Sequence, residues 1–175
     1  MSEEEAEHQY AKIAVTTRLP PMFGPIENGQ RTWIRVEDID YDLMGYLLSC
    51  HLIIEHYMDV FLKTHYGDLD WDAAKPTFGQ RVNLLTTWSL GPPFNPVQAI
   101  KHLNTLRNRL GHRVDYHLTD EDMLPFIHYL GAVSKHGERE LDLNDKSPKR
   151  VLELFTSLAA ACFAGAVTSV GAAGR

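Results

Sequence analysis

One uninterrupted run, YDLMGYLLSCHLIIEHYMDVFLKTHY from Tyr41 onward, limits the possible folds of this chain more than any other feature. Asp38 or Asp40 can cap its start, and Gly67 is a natural stop, so the run predicts a single long helix. Strand-like alternation is nearly absent elsewhere, apart from a weak case at RTWIRV. The sequence therefore predicts an all-α fold.

Two capping boxes mark further helix starts. Thr77 with Gln80 opens the segment TFGQRVNLLTTWSL, and Thr119 with Asp122 opens a later helix. We expect Pro125 to kink or shorten that later helix, because proline lacks the N–H that the helix interior requires.

A third helix is predicted between these two, and a fifth at the end of the chain. Asn95 precedes Pro96 at the first helical position, and Gly111 is the expected stop. Ser147 and Pro148 open the last helix, which is apolar.

Length and charge indicate one helical domain with a confined basic region. Residues 1–37 form an irregular N-terminal extension rich in Pro, Gly and Asn, and residues 38–172 form the domain. The net charge of −6 argues against general attraction to nucleic acid. Four cations and one anion nevertheless fall between Gln98 and Leu118: Lys101, Arg107, Arg109, Arg113 and Asp115. Such a basic island in an acidic chain predicts a local anion site.

The third helix places its polar residues unevenly around its axis. With roughly 100° per residue, the leucines form a core stripe and Arg107 lies beside that stripe. Asn104, Asn108 and His112 follow at i, i+4 and i+8 and form one ridge, whereas Arg109 points into solvent. Arg107 and His112 are about 140° apart on an ideal helix, so their convergence requires a looser backbone near Gly111.

A histidine and an arginine together are sufficient for metal-free cleavage of RNA. The histidine can take up or return a proton near neutral pH, and the guanidinium matches phosphate oxygens. In that reaction the ribose 2′-OH attacks the adjacent phosphorus and leaves a cyclic phosphate, so DNA is spared. One histidine per chain is short of an acid–base pair, and a two-fold dimer would supply the second.

At these residues the chain resembles the HEPN domains (higher eukaryotes and prokaryotes nucleotide-binding). Their signature is Arg, four to six residues, then His near the end of a bundle helix, and this chain has RNRLGH from Arg107 to His112. The long first helix, the segment FGQRVNLL and the segment LNTLRNRLGH also follow the family's order. The resemblance covers roughly residues 38–137 and leaves the last helix as an addition.

The resemblance implies an up-and-down four-helix bundle that forms a homodimer and needs no cofactor. Many members are metal-independent endoribonucleases in toxin–antitoxin, phage-defence or RNA-processing systems, so the implied partners are RNA, a second copy and an antitoxin protein. By the family's pattern, Arg107 binds the scissile phosphate, His112 is the general acid/base, and Asn108 orients the phosphate or the histidine. Substrate-binding roles of lower rank fall to the remaining polar residues nearby: Asn104, Lys101, Arg113 and Glu55.

The family's acidic residue followed, four positions on, by a basic one is altered here. Glu55 occupies the acidic place, but Asp59 follows it. We expect Glu55 either to orient His112 or to pair with Arg107.

Several readings without catalysis remain open. Arg107 is then a half-buried arginine paired with Glu55 or Asp59, and His112 is a helix C-terminal residue that interacts with the dipole. The chain is in that case a non-catalytic HEPN module that binds a nucleotide, RNA or a partner protein. The remaining alternative is a plain helical bundle that acts in assembly.

Metal binding and membrane insertion are not expected. His51 and His56 lack the i, i+4 spacing of a zinc pair, and Cys50 and Cys162 predict reduced thiols rather than a disulfide. The acidic N-terminus lacks the pattern of a secretory signal, so a cytoplasmic location is predicted. Residues 154–174 carry no charge, but their small side chains favour a buried helix or a subunit contact over a membrane span.

Overall fold

A computed structural model describes residues 21–35, 37, 39–85, 88, 90–113, 116–137 and 141–173, with side chains as far as residue 169. Most of the predicted N-terminal extension, residues 1–20, therefore lies outside the described part, as do Asp115 and residues 174 and 175. The chain divides into two compact units, Met1–Ile39 and Asp40–Arg175. Each unit is described by itself.

The described part of the first unit is an antiparallel β-hairpin, not the irregular segment expected from the sequence. Its strands are β1 (Met22–Glu27) and β2 (Gln30–Ile34). Asn28 and Gly29 make the turn with φ of 51° and 78°, the left-handed conformation that Asn-Gly adopts in two-residue hairpin turns. Phe23 and Trp33 pair across the strands with ring centroids 4.9 Å apart. Large apolar side chains of this hairpin are exposed. Because neither strand has one buried and one exposed face, the sequence shows only a weak alternation of apolar and polar residues.

The described part of the second unit is helical, as predicted. Its six helices are α1 (Tyr41–His65), α2 (Trp71–Ala74), α3 (Phe78–Leu84), α4 (Val97–His112), α5 (Asp120–His136) and α6 (Pro148–Ala173). The short helix α2 was not predicted. Helix α3 ends at Leu84, well before the end of the segment that its capping box opened.

Local hydrogen bonds explain most helix starts. The side chain of Asp40 accepts the N–H of Leu43 at 2.9 Å and caps α1. Both predicted capping boxes are present, at Thr77 for α3 and at Thr119 for α5. Pro125 lies inside α5 without shortening it, since the helix continues to His136.

The start of α4 differs by one residue from the prediction. Pro96 is the residue before the helix and Val97 is its first residue. The side-chain oxygen of Asn95 accepts the N–H of Val97 at 2.9 Å, so the asparagine still satisfies a free donor of the first turn.

The last helix is part of the core, which confirms the buried helix that its small side chains favoured. Among the described helices, α6 and α1 form the pair with the most extensive contact. It contributes five buried apolar side chains: Val151, Leu152, Phe155, Ala159 and Phe163. The stretch Pro148–Ser169 also has the length and mean hydropathy of a membrane span, with 39% of it buried. A membrane-spanning helix and a helix buried in a protein core share this length and composition. Here the buried residues of α6 face the other helices of the bundle.

Both cysteines are free thiols. Cys50 is buried in the core and Cys162 is half-buried. Burial raises the pKa of each thiol, so both are poor nucleophiles at neutral pH.

Candidate functional site

Helix α4 buries one face and exposes the residues that the sequence singled out. The buried face carries an aliphatic stripe: Ala99, Ile100, Leu103, Leu106 and Leu110. Arg107, Asn108 and His112 are exposed, and Asn104 is half-buried between them and the core. The amphipathic spacing therefore fixes which side chains can meet a ligand.

The helix stays regular through Gly111, which corrects the expected stop and the expected loosening of the backbone. The last helical residue is His112, and the N–H of Arg113 still donates to the carbonyl of Arg109 at 2.9 Å. Five regular helical steps leave Arg107 and His112 about 140° apart around the axis. The backbone of one copy thus does not bring the two side chains onto one ridge.

The guanidinium of Arg107 has only a neutral partner among the described residues. Its Nη1 donates to Oδ1 of Asn108 at 3.3 Å. The same nitrogen is 4.0 Å from the place that a Cβ on Gly111 would occupy, so the guanidinium extends along the helix toward its C-terminal end. A full positive charge therefore stands at the surface without a carboxylate beside it in the described part of the chain.

The carboxylates proposed as partners of Arg107 are paired with Arg81 instead. Arg81 of α3 donates through Nη1 to Glu55, and its Nε is 3.5 Å from Oδ1 of Asp59. Glu55 is consequently not positioned on Arg107 or on His112, contrary to both expected roles. Arg81 was missed because the pairing joins two separate helices. The only signal in the sequence was a pair of carboxylates spaced i, i+4 on α1.

A buried histidine holds Asn104 beside this region. Nε2 of His51 is 3.3 Å from Oδ1 of Asn104, and the imidazole stacks on Phe78 with centroids 4.0 Å apart. Burial lowers the pKa of His51, and the positive charge of Arg107 lowers it further, although Asn104 and Glu55 oppose the shift. His51 is therefore a neutral ring at neutral pH. The sequence had treated it only as half of a rejected zinc pair.

His112 is exposed in the last turn of α4. No hydrogen bond or ion pair joins its ring to another residue of the described part of the chain. This position suits a proton carrier, and it equally suits a cation that interacts with the helix dipole.

The other cations of the basic region differ in their exposure and in the partners that the described residues give them. Lys101 and Arg113 are exposed, in keeping with the substrate-binding roles expected of them. Arg109 is not an ordinary surface cation: it donates to the hydroxyl of Tyr116 at 3.3 Å and to Asp122 at 3.2 Å. Arg109 therefore joins α4 to the start of α5, and its charge is offset.

Taken together, the exposed side of α4 can bind an anion and exchange a proton. The exposed side of α4 that ends at His112 carries the amides of Asn104 and Asn108 and the cations Lys101 and Arg107, while Arg81 pairs with Glu55 and Asp59. Among the described residues, no group of three or more His, Cys, Asp or Glu side chains could hold a metal ion.

No protein-family model, curated protein sequence or solved structure matches this chain.

Proposed function

We propose that the chain is a metal-independent endoribonuclease of the HEPN type, with a site built from two copies. The observation that carries the proposal is the guanidinium of Arg107, exposed and unpaired with any described carboxylate while Arg81 takes up Glu55 and Asp59. An arginine with a purely structural role would be expected to form an ion pair with those carboxylates. Arg107 is instead free to bind a phosphate.

The reaction needs only the groups on this helix. A neutral His112 takes the proton of the ribose 2′-OH, whose oxygen bonds to the adjacent phosphorus. The bond from phosphorus to the 5′-oxygen breaks, and a protonated His112 from the second copy returns a proton to that oxygen. Arg107 stabilises the charge that develops on the phosphoryl oxygens. The products are a 2′,3′-cyclic phosphate and a 5′-hydroxyl.

An exposed apolar face on α1 supports the second copy. After its first residue, Tyr41, the helix exposes five more large apolar residues: Leu48, Leu52, Ile53, Tyr57 and Val60. Apolar residues on both the core side and the solvent side of one helix indicate a helix that is covered on both. Ile53 is the midpoint of α1, whose first turn is acidic and last turn basic. An antiparallel two-fold contact would therefore superpose the face on itself and oppose unlike charges.

The test is cleavage of a defined single-stranded RNA in excess EDTA. We expect a cyclic-phosphate end, and no cut when a single 2′-deoxy nucleotide replaces the one that precedes the cleaved bond. Cleavage that persists with the deoxy substitution, or that stops with EDTA and returns with a divalent ion, would reject the proposal.

A role as a toxin or defence effector follows from the same chemistry. Expression of the wild-type chain in a bacterial host is then toxic, and His112→Ala relieves the toxicity. A cognate antitoxin protein would be expected to cover the exposed side of α4. Equal growth with wild type and variant would contradict this role.

One observation favours a second candidate, a non-catalytic HEPN module that binds RNA, a nucleotide or a partner protein. The regular backbone at Gly111 keeps Arg107 and His112 about 140° apart within one chain. Under this alternative, RNA binding persists in EDTA, no product is formed, and His112→Ala leaves binding unchanged.

A further inference from the structure

A polar cleft opens between α3 and α4, next to Arg107. Its volume is about 490 Å³, within the range of pockets that hold small organic ligands. It is lined by side chains of both helices and of the cap before α3: Thr77, Gly79, Gln80, Val82, Asn83, Lys101 and Asn104. We refer to it as the α3–α4 cleft.

The α3–α4 cleft combines one cation with three amides, of which Gln80 is already hydrogen-bonded to Thr77 in the cap before α3. Lys101 and Asn104 come from α4, and Asn83 comes from α3. Lys101 and Arg107 are six residues apart, about 9 Å along the helix axis, so Asn104 lies between two cations. The described residues that line the cleft include no Asp or Glu. Such a set suits a ligand with acidic phosphates and an uncharged ring that carries donors and acceptors.

The amide of Asn104 is held in place from behind. His51 is buried and stacked on Phe78, and at neutral pH its neutral ring can donate one N–H to Oδ1 of Asn104. With its oxygen engaged, Asn104 keeps the two donors of its NH₂ group for the cleft. A fixed amide discriminates between ligands better than a mobile one, because no ordering cost is incurred on binding.

We propose that the α3–α4 cleft binds the base of the nucleotide next to the scissile phosphate of a single-stranded RNA. Asn83 and Asn104 contact the edge of the unpaired base, and Lys101 contacts its phosphate. His51 is a positioning residue that acts through Asn104. The identity of the polymer rests on the proposed ribonuclease function, whereas the preference for one base rests on the cleft.

Binding measured without cleavage tests the cleft directly. In a His112→Ala background, fluorescence anisotropy with four labelled homopolymeric oligoribonucleotides gives the affinity for each base. We expect one preferred base, and Asn83→Ala or Asn104→Ala to weaken that oligomer about tenfold with little effect on the others. Lys101→Ala should weaken all four alike, because it removes only a phosphate contact.

Matched controls separate the cleft from the general surface. Asn144→Ala and Lys146→Ala alter exposed residues outside the cleft and should leave all four affinities unchanged. The matching free nucleoside monophosphate should compete only weakly. The proposal would be overturned if Asn104→Ala weakened the affinity for all four oligomers equally, or for none of them. It would also be overturned if the free nucleotide bound more tightly than the oligomer.

The role of His51 has its own readout. His51→Phe keeps an aromatic ring on Phe78 but removes the donor to Asn104, so base selectivity should fall as in Asn104→Ala while circular dichroism stays unchanged. His51→Gln, which restores an N–H donor, should recover part of the selectivity. A folded His51→Phe variant with full selectivity would refute the positioning role.

Mapping the cleaved positions distinguishes a failure of the cleft proposal from a failure of the nuclease proposal on which it rests. If the wild type cuts RNA and Asn83→Ala with Asn104→Ala leaves the cut positions unchanged, the cleft proposal fails and the nuclease proposal stands. If oligomers bind with the expected base preference but no cut occurs, the cleft proposal stands and the nuclease proposal fails.

Discussion

At the scale of single residues, three arginines that look similar in the sequence have three different surroundings. Within the part of the chain that the structure describes, Arg81 pairs with carboxylates of α1, Arg109 with Asp122, and Arg107 with the amide of Asn108. Helical spacing predicted that Arg107 and Arg109 differ, because angular position depends only on the count of residues. It did not predict Arg81, whose partners depend on how two helices pack.

This difference predicts unequal effects of two alanine substitutions on stability. Arg81→Ala leaves the half-buried carboxylate of Glu55 without its guanidinium and leaves Asp59 with Lys63, 2.8 Å away, so the free energy of unfolding should fall by about 1 to 2 kcal/mol. Arg107→Ala removes no ion pair and should change it by less than about 0.5 kcal/mol. Urea unfolding followed by circular dichroism measures both. A larger loss for Arg107→Ala than for Arg81→Ala would mean that Arg107 has a structural role.

The buried histidine predicts a dependence of stability on pH. His51 has a lowered pKa when folded, mainly through burial and then through Arg107, while Asn104 and Glu55 oppose the shift. Its unfolded pKa is about 6.5, so its neutral form favours the folded state above that pH. This contribution is lost as the pH falls through the folded pKa.

We therefore expect the urea concentration at the unfolding midpoint of the wild type to decrease as the pH is lowered from about 7.5 to about 5. His51→Phe cannot titrate and should show a smaller fall, while the other histidines contribute equally to both proteins. An identical pH dependence in the two proteins would show that His51 is not a neutral buried ring.

At the scale of helices, starts could be predicted from the sequence better than ends. The boxes at Thr77 and Thr119 need only residues three positions apart, so local sequence determines them. The end of α4 depends on tertiary contacts: Arg109 is tied to α5 and the helix continues past Gly111. The hairpin was missed because its Asn-Gly turn joins strands without a buried face.

The start of α5 should be sensitive to Asp122. Its carboxylate accepts from Thr119, from the hydroxyl of Tyr116 at 2.6 Å and from Arg109. Burial alone would raise the pKa of Asp122, but these hydrogen bonds outweigh it and lower the pKa. Asp122→Ala should cost about 2 to 3 kcal/mol of unfolding free energy. Thermal or urea unfolding measures the loss.

Asp120→Ala is the matched control, because Asp120 is exposed in the same turn. It should cost only a few tenths of a kcal/mol, roughly the value of a first-turn acid near the helix dipole. Equal losses from the two substitutions would contradict the network around Asp122.

At the scale of the whole molecule, the account requires two copies of the chain. The prediction of an all-α domain is confirmed in its helical content, and the last helix proved to be part of the core. The sequence alone did not separate a covering subunit from a covering helix. A helix surface needs apolar residues whether a helix of the same chain or a second copy covers it. Only the packing shows that α6 covers one side of α1, while the other side of α1 stays exposed.

Substitution on that exposed side should separate the copies. Leu52 is 64% exposed, so Leu52→Glu adds a charge without disturbing the core, and the dimer should dissociate to monomers in sedimentation equilibrium. Leu124→Glu, an exposed leucine on α5, should leave the dimer intact. A wild type that is monomeric at all concentrations, or a Leu52→Glu dimer, would reject this face as the contact.

The most direct measurement of the central claim is the single-turnover rate of RNA cleavage in excess EDTA for wild type, Arg107→Ala and His112→Ala. Arg109→Lys serves as a control on the same helix. The account predicts that each of the first two substitutions lowers the rate at least about a hundredfold in a protein that remains folded and dimeric. Full cleavage by folded His112→Ala or Arg107→Ala protein would contradict the account.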